Sequence, residues 1–201
     1  MMRLKIGGMV TLLFLLSSCV SLMGVKYQYM YVLKEPYSSN MQYGDETINI
    51  HFAIADTSIV FTMKNVTNDI IKIIWDEASF VQRGNAQRIM HVGVKYSDRN
   101  SSQPPTIIPP GVSIEDNVIP VNNVYWRDGY YSKYSSSPGG WEERDLLPTQ
   151  DFNKVEFSNM IMNSKGQQFS LFIPIEYSGV KKTYKFVFEV SNVNKVESKY
   201  Y

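Results

Sequence analysis

Apolar residues recur at every second position over short runs through most of this chain, and that period of two restricts it to β-structure. Ile48, Ile50, Phe52 and Ile54 share one side of an extended segment, with Asn49, His51 and Ala53 on the other. Ile59, Phe61 and Met63 repeat the pattern and stop at Asn65-Val66-Thr67-Asn68-Asp69, a sequence suited to a hairpin loop. Ile71, Ile73 and Trp75 continue it; Ile70 and Ile74 make the opposite side apolar too, which predicts a central strand. The clearest unit is C-terminal. Phe169, Leu171, Ile173, Ile175 and Tyr177 alternate up to Ser178-Gly179, and Tyr184, Phe186, Phe188 and Val190 alternate on the way back, predicting a long hairpin. Tyr27, Tyr29, Tyr31 and Leu33 predict an opening strand, and 88–96 another. Pro104-Pro105 and Pro109-Pro110-Gly111 bracket a short edge segment, after which 112–119 reads as a strand.

Seven to nine short strands with turns between them predict an all-β fold: one immunoglobulin-like or fibronectin-like antiparallel β-sandwich over 26–201. A chain of 201 residues buries roughly 70% of its unfolded surface, so it needs no staples. It has none to use. Cys19 is the one cysteine, which excludes an internal disulfide, a cysteine-based zinc site and a thiol nucleophile in the folded part. Apolar residues at 44% and charged residues at 19% argue against disorder.

The N-terminus has its own logic. Arg3 and Lys5 open a short basic region, and 6–16 is apolar and uncharged. That stretch falls short of the roughly 20 residues needed to span hydrocarbon, so 1–18 reads as a secretory signal helix. Leu16-Ser17-Ser18-Cys19 resembles the lipobox of bacterial lipoproteins. The resemblance implies cleavage between Ser18 and Cys19 and a diacylglyceryl group on the Cys19 sulfur. The alternative is an ordinary signal with an incidental cysteine, but the single cysteine falls at the one position that needs it. Each buried CH₂ contributes about 0.8 kcal/mol, so two or three acyl chains anchor durably. Val20 follows, where an aspartate would resemble an inner-membrane retention signal. With no acidic cluster after Cys19, the expected address is the outer membrane, facing the periplasm. The tether, 19–25, is short; 20–25 reaches roughly 20 Å. Losing Arg3 and Lys5 takes 20 basic against 19 acidic residues to 18 against 19, a net charge of about −1. No footprint for nucleic acid remains.

The pattern with Ile73-Ile74-Trp75-Asp76-Glu77 and Ile107-Ile108-Pro109-Pro110-Gly111 resembles small envelope lipoproteins with one β-sandwich and no assigned activity. That likeness implies no catalytic residue. His51 lies on the polar side of its strand, His91 has no serine elbow near it in sequence, and no glycine loop for nucleotides occurs. Asp69, Asp76 and Glu77, and Glu142, Glu143 and Asp145, lack calcium-loop spacing, while Asp56, Asp76 and Asp116 read as turn formers. No enzyme, metal or cofactor is implied. One segment stands apart: 122–148 lacks strand alternation and carries Tyr125, Trp126, Tyr130, Tyr131, Tyr134 and Trp141 among serines and glycines. Such a loop either covers a sheet edge or binds a glycan or peptide. The expectation is a non-enzymatic interaction or structural component of the envelope that scaffolds or binds another envelope protein, with glycan or peptide binding through 125–141 as the alternative.

Overall fold

The structure, a computed structural model, describes residues 24–151, 159 and 161–198; the signal segment 1–18 and Cys19 lie outside them. The strands, in chain order, are β1 (Gly24–Glu35), β2 (Tyr37–Ser38), β3 (Gln42–Gly44), β4 (Ile48–Ile54), β5 (Ile59–Asn65), β6 (Ile71–Ile73), β7 (Ser79–Gln82), β8 (Asn85–His91) and β9 (Thr106–Ile108). They continue as β10 (Ser113–Pro120), β11 (Val124–Arg127), β12 (Tyr130–Tyr131), β13 (Ser136–Ser137), β14 (Gly140–Glu143), β15 (Gln150–Asp151), β16 (Gln168–Tyr177) and β17 (Val180–Ser198). β1 therefore begins within the expected tether. Among the described residues no helix is long and apolar enough to cross a membrane.

The fold is all-β. Thirteen strands hydrogen-bond into one antiparallel sheet in the order β15-β1-β17-β16-β7-β8-β10-β5-β4-β3, with β2, β6 and β9 attached beside that path. The sheet curls until it is nearly barrel-shaped. β8 turns the corner: Asn85–Arg88 pair with β7, while Ile89–His91 pair with β10. The two halves then face each other across an aromatic core. Phe52 on β4 meets Phe186 and Phe188 on β17 at ring separations of 4.7 and 5.0 Å, both edge to face. Contacts of this kind contribute about 0.5–1.5 kcal/mol each beyond simple burial. The alternation in β4 becomes strict burial alternation, with Ile48, Ile50 and Phe52 inside and Asn49, His51 and Ala53 outside.

Three elements depart from the sequence expectation. The segment 65–69 is no hairpin loop. β5 lies between β4 and β10, whereas β6 pairs with β16 and β9, so the chain crosses between the two halves there. The Asn65 side chain makes that crossing possible, donating from Nδ2 to the carbonyls of Asp69 at 2.7 Å and Ile108 at 2.8 Å. β6 has neighbours on both sides but only three residues, and Ile70 stays 52% exposed. The strand expected over 88–96 stops at His91, because Asp116 captures the next amide, Val92 N, at 3.0 Å. The third departure is the segment 122–148.

Candidate functional site

The segment 122–148 is a β-ribbon. Its register pairs Val124 with Glu143, Trp126 with Trp141, and Arg127 with Gly140; beyond these, Tyr130 pairs with Ser137 and Tyr131 with Ser136. Both stretches share one register, so they form a single hairpin interrupted where Asp128-Gly129 passes Pro138-Gly139. Proline has no N–H to give the ladder. The glycines permit a close crossing: a Cβ on Gly129 would lie 2.6 Å from Gly139 N, and one on Gly139 would lie 3.0 Å from the Trp126 ring.

β-alternation gives the ribbon two unlike faces. Val124, Trp126, Trp141 and Glu143 turn one way, towards the body. Val124 is buried with Met90, Ile119 and Val121 in a small cluster outside the main core, with Val94, Tyr96 and Trp141 packed against it. The other face is charged. Tyr125 Oη donates to Glu142 Oε2 at 2.9 Å, Arg127 Nε donates to the same carboxylate, and the Arg144 guanidinium sits 4.7 Å from the Tyr125 ring centre. Arg127 first, then Tyr125, hold the Glu142 carboxyl below its ordinary range.

Between the outer sheet surface and the inner ribbon face lies a hollow of about 540 Å³. The segment 90–97 forms most of its wall, with Asn117 and Ile119 from β10 and Trp141 and Glu143 from the ribbon. Trp141 is fixed by an edge-to-face contact with Trp126 at 5.6 Å, another with Tyr96 at 6.3 Å, and the Arg99 guanidinium 4.7 Å from its ring. The Tyr96 hydroxyl donates to Glu143, and that bond pushes the phenol above its ordinary value. Asn117 Oδ1 is buried and has no hydrogen-bond partner among the described residues. An orphan of this kind costs about 1–3 kcal/mol.

Of the six aromatic residues singled out from sequence, the fold brings Trp126 and Trp141 together and places Trp141 in the hollow. Tyr125 points to the opposite face. Tyr130, Tyr131 and Tyr134 stand at the exposed tip, where Tyr130 Oη and Ser135 Oγ are 2.7 Å apart. Tyr96 and Asn117 escaped notice because nothing distinguishes them along the chain: one ended the strand expected over 88–96 and the other fell inside the strand expected over 112–119.

The histidines have different fates. His51 is exposed on β4, beside a second hollow of about 460 Å³ with Gln42, Asn49, Thr62 and Lys64. His91 is half-buried, its ring stacked on Trp75 at 4.4 Å and its Nδ1 3.3 Å from Asp116 Oδ2. Asp116 is thus not a turn former. It is a buried mid-strand carboxylate that also accepts from Asn117 N at 2.8 Å. Asp76 does organise a turn, accepting from Gln103 N and Arg88 Nη2, each at 3.0 Å, and from Ser102 Oγ. Among the described residues, no three histidine, cysteine, aspartate or glutamate side chains converge in a way that would hold a metal. Cys19 and Ser18 lie outside the described residues.

Fold and site together define a β-rich, sheet-dominated domain, compatible with a β-sandwich, that carries a β-ribbon over one outer face. No protein-family model, curated protein or solved structure matches this chain.

Proposed function

We propose that this chain is a lipid-anchored cell-envelope protein that works by binding and not by catalysis, with its recognition site in the hollow beneath the β-ribbon. The carrying observation is the hollow itself, walled by the segment 90–97 and bounded on one side by Trp141, which Trp126 and Tyr96 hold edge to face. Its volume lies within the roughly 300–1,000 Å³ of small-ligand sites. The imidazole beside an acid, His91, is engaged with Trp75 and Asp116, which favours binding over hydrolysis. Leu16-Ser17-Ser18-Cys19 supports the anchor, and Val20 supports the outer membrane facing the periplasm. In fold we read the domain as an immunoglobulin-like or fibronectin-like sandwich. Seven strands of seven residues or more support that reading; the ladder that runs on through β8 is its departure from two separate sheets.

One experiment tests both halves. The chain carrying a photo-crosslinking residue at Ser97, on the rim of the hollow, is made in a Gram-negative host, with and without Cys19→Ser. The intact mass is expected to include a diacylglyceryl increment, and the protein to fractionate with membranes; Cys19→Ser abolishes both. Irradiation is expected to give one discrete adduct, lost with Trp141→Ala. Absence of the acyl increment overturns the anchor, and a diffuse adduct pattern indifferent to Trp141 overturns the site.

A further inference from the structure

We infer that the tip of the β-ribbon, residues 130–136, docks end-on into the headgroup layer of an anionic lipid bilayer. This contact is separate from the hollow, at the far end of the ribbon, and does not depend on acylation of Cys19.

Tyr131 and Tyr134 are 82% and 89% exposed, and Tyr130 beside them is more than half exposed. Consecutive strand residues point to opposite faces, so Tyr130 and Tyr131 stand on the two sides of β12, while Tyr134 lies in the bend before β13. The rings therefore surround the tip and share no face. A protein partner or a stacked sugar takes rings presented on one side; a collar of rings suits entry into a layer from its end. The polar groups of the tip bond to one another. Ser132 N and Ser132 Oγ both donate to the Ser135 carbonyl at 2.8 Å, and Ser132 Oγ accepts from Ser135 N at 3.0 Å. Those groups lose little when water thins around them. The Tyr131 and Tyr134 hydroxyls have no hydrogen-bond partner among the described residues. A phenol with an apolar body and a wet end is a side chain that settles at headgroup depth. Charge names the kind of leaflet. From Gly129 to Trp141 the one charged residue is Lys133, its ammonium 5.5 Å from the Tyr134 ring centre, so no carboxylate there opposes anionic lipid.

The test reconstitutes the full chain into vesicles of phosphatidylethanolamine and phosphatidylglycerol with brominated acyl chains, and into neutral phosphatidylcholine vesicles brominated alike. A tryptophan is placed at the tip in Tyr131→Trp and Tyr134→Trp and, for comparison, on the body in Tyr37→Trp, where the parent residue is 76% exposed. Circular dichroism establishes that the variants fold. With the parent signal subtracted, the tip tryptophans are expected to emit further to the blue on anionic vesicles and to be quenched by brominated lipid several-fold more strongly than the one at position 37. Lys133→Glu, added to Tyr134→Trp, is expected to lower that quenching on anionic vesicles and leave it unchanged on neutral ones. In the Gram-negative host, a photo-crosslinking residue at Tyr131 is expected to gain the mass of a phospholipid. If the tip tryptophans stay red-emitting and open to acrylamide, if position 37 is quenched equally, if Lys133→Glu acts alike on both vesicles, or if the Tyr131 adduct is absent or is a protein or polysaccharide, the inference is overturned. The acyl increment and the Trp141-dependent adduct at Ser97 are read at other residues, so the earlier reading stands or falls apart from this one.

Discussion

Asp45 sits in the turn between β3 and β4 and reaches across to β17. It accepts from Lys182 Nζ and Tyr184 Oη, each at 2.8 Å, and from the backbone amides of Thr47 and Ile48 at 2.8 and 2.9 Å. Burial pushes its carboxyl up, but Lys182, the two amides and the Tyr184 hydroxyl outweigh that and hold it well below the ordinary carboxylate range. Burial is also the main reason the Tyr184 phenol is pushed up to about 12. A carboxyl depressed in the folded state stabilises the fold above its unfolded pKa of about 3.9 and loses that contribution as pH falls below it. Thermal melts from pH 6 to pH 2.5 are therefore expected to show a falling acid limb, and Asp45→Asn to flatten it while lowering the melting temperature at pH 6. An acid limb as steep in Asp45→Asn as in the parent would remove Asp45 from this role. Little of this is legible in sequence. A turn aspartate is easy to see at 45, but its partners stand some 140 residues away. Asp116 shows the same limit in reverse: nothing local separates a buried carboxylate from a turn former.

The ribbon is the element the sequence hid, for a physical reason. Alternation advertises a strand only when one face is buried and the other wet. In β11 and β14 the inner face mixes valine, tryptophan and glutamate, and the outer face is held by ions and hydroxyls, so no period of two appears. By contrast, β16 and β17 bury alternate residues from Phe169 to Ile175 and from Tyr184 to Val190, and their hairpin, with Ser178 at φ 48° and Gly179 at φ 75° in its turn, reads directly from the chain. The crossing of Gly129 and Gly139 governs where Trp126 sits. Gly129→Ala would bring a methyl to 2.6 Å from a backbone nitrogen, forcing the strands apart at a cost of about 1–3 kcal/mol. The strain falls on an exposed arm, so the global melt is expected to change little while the Trp126–Trp141 contact loosens. Near-ultraviolet circular dichroism and acrylamide quenching are the measurements; unchanged tryptophan quenching in Gly129→Ala would mean that the glycines do not set the arm.

At the scale of the molecule, the all-β class was readable because strands such as β4, β5 and β16 send alternate residues into the main core. What joins to what was not, since pairing depends on partners far along the chain. β8 is the instance: a seven-residue strand whose two ends serve different neighbours. β17 is another, nineteen residues long, with its first half beside β16 and its second beside β1. That arrangement decides how the domain withstands being tugged by its N-terminal end. The rungs from Gly24–Ser198 to Glu35–Val187 run antiparallel, with two bulges. Pulled between residues 24 and 180, along the strands, they resist together in shear; pulled between residues 24 and 198, they open rung by rung, as a zipper does. Optical-tweezer rupture forces are expected to be several-fold higher for the first pair of handles, and equal forces would contradict this. A load between residue 24 and the far end of β17 is shared by every rung at once, whereas one between the two neighbouring ends falls on a single rung at a time.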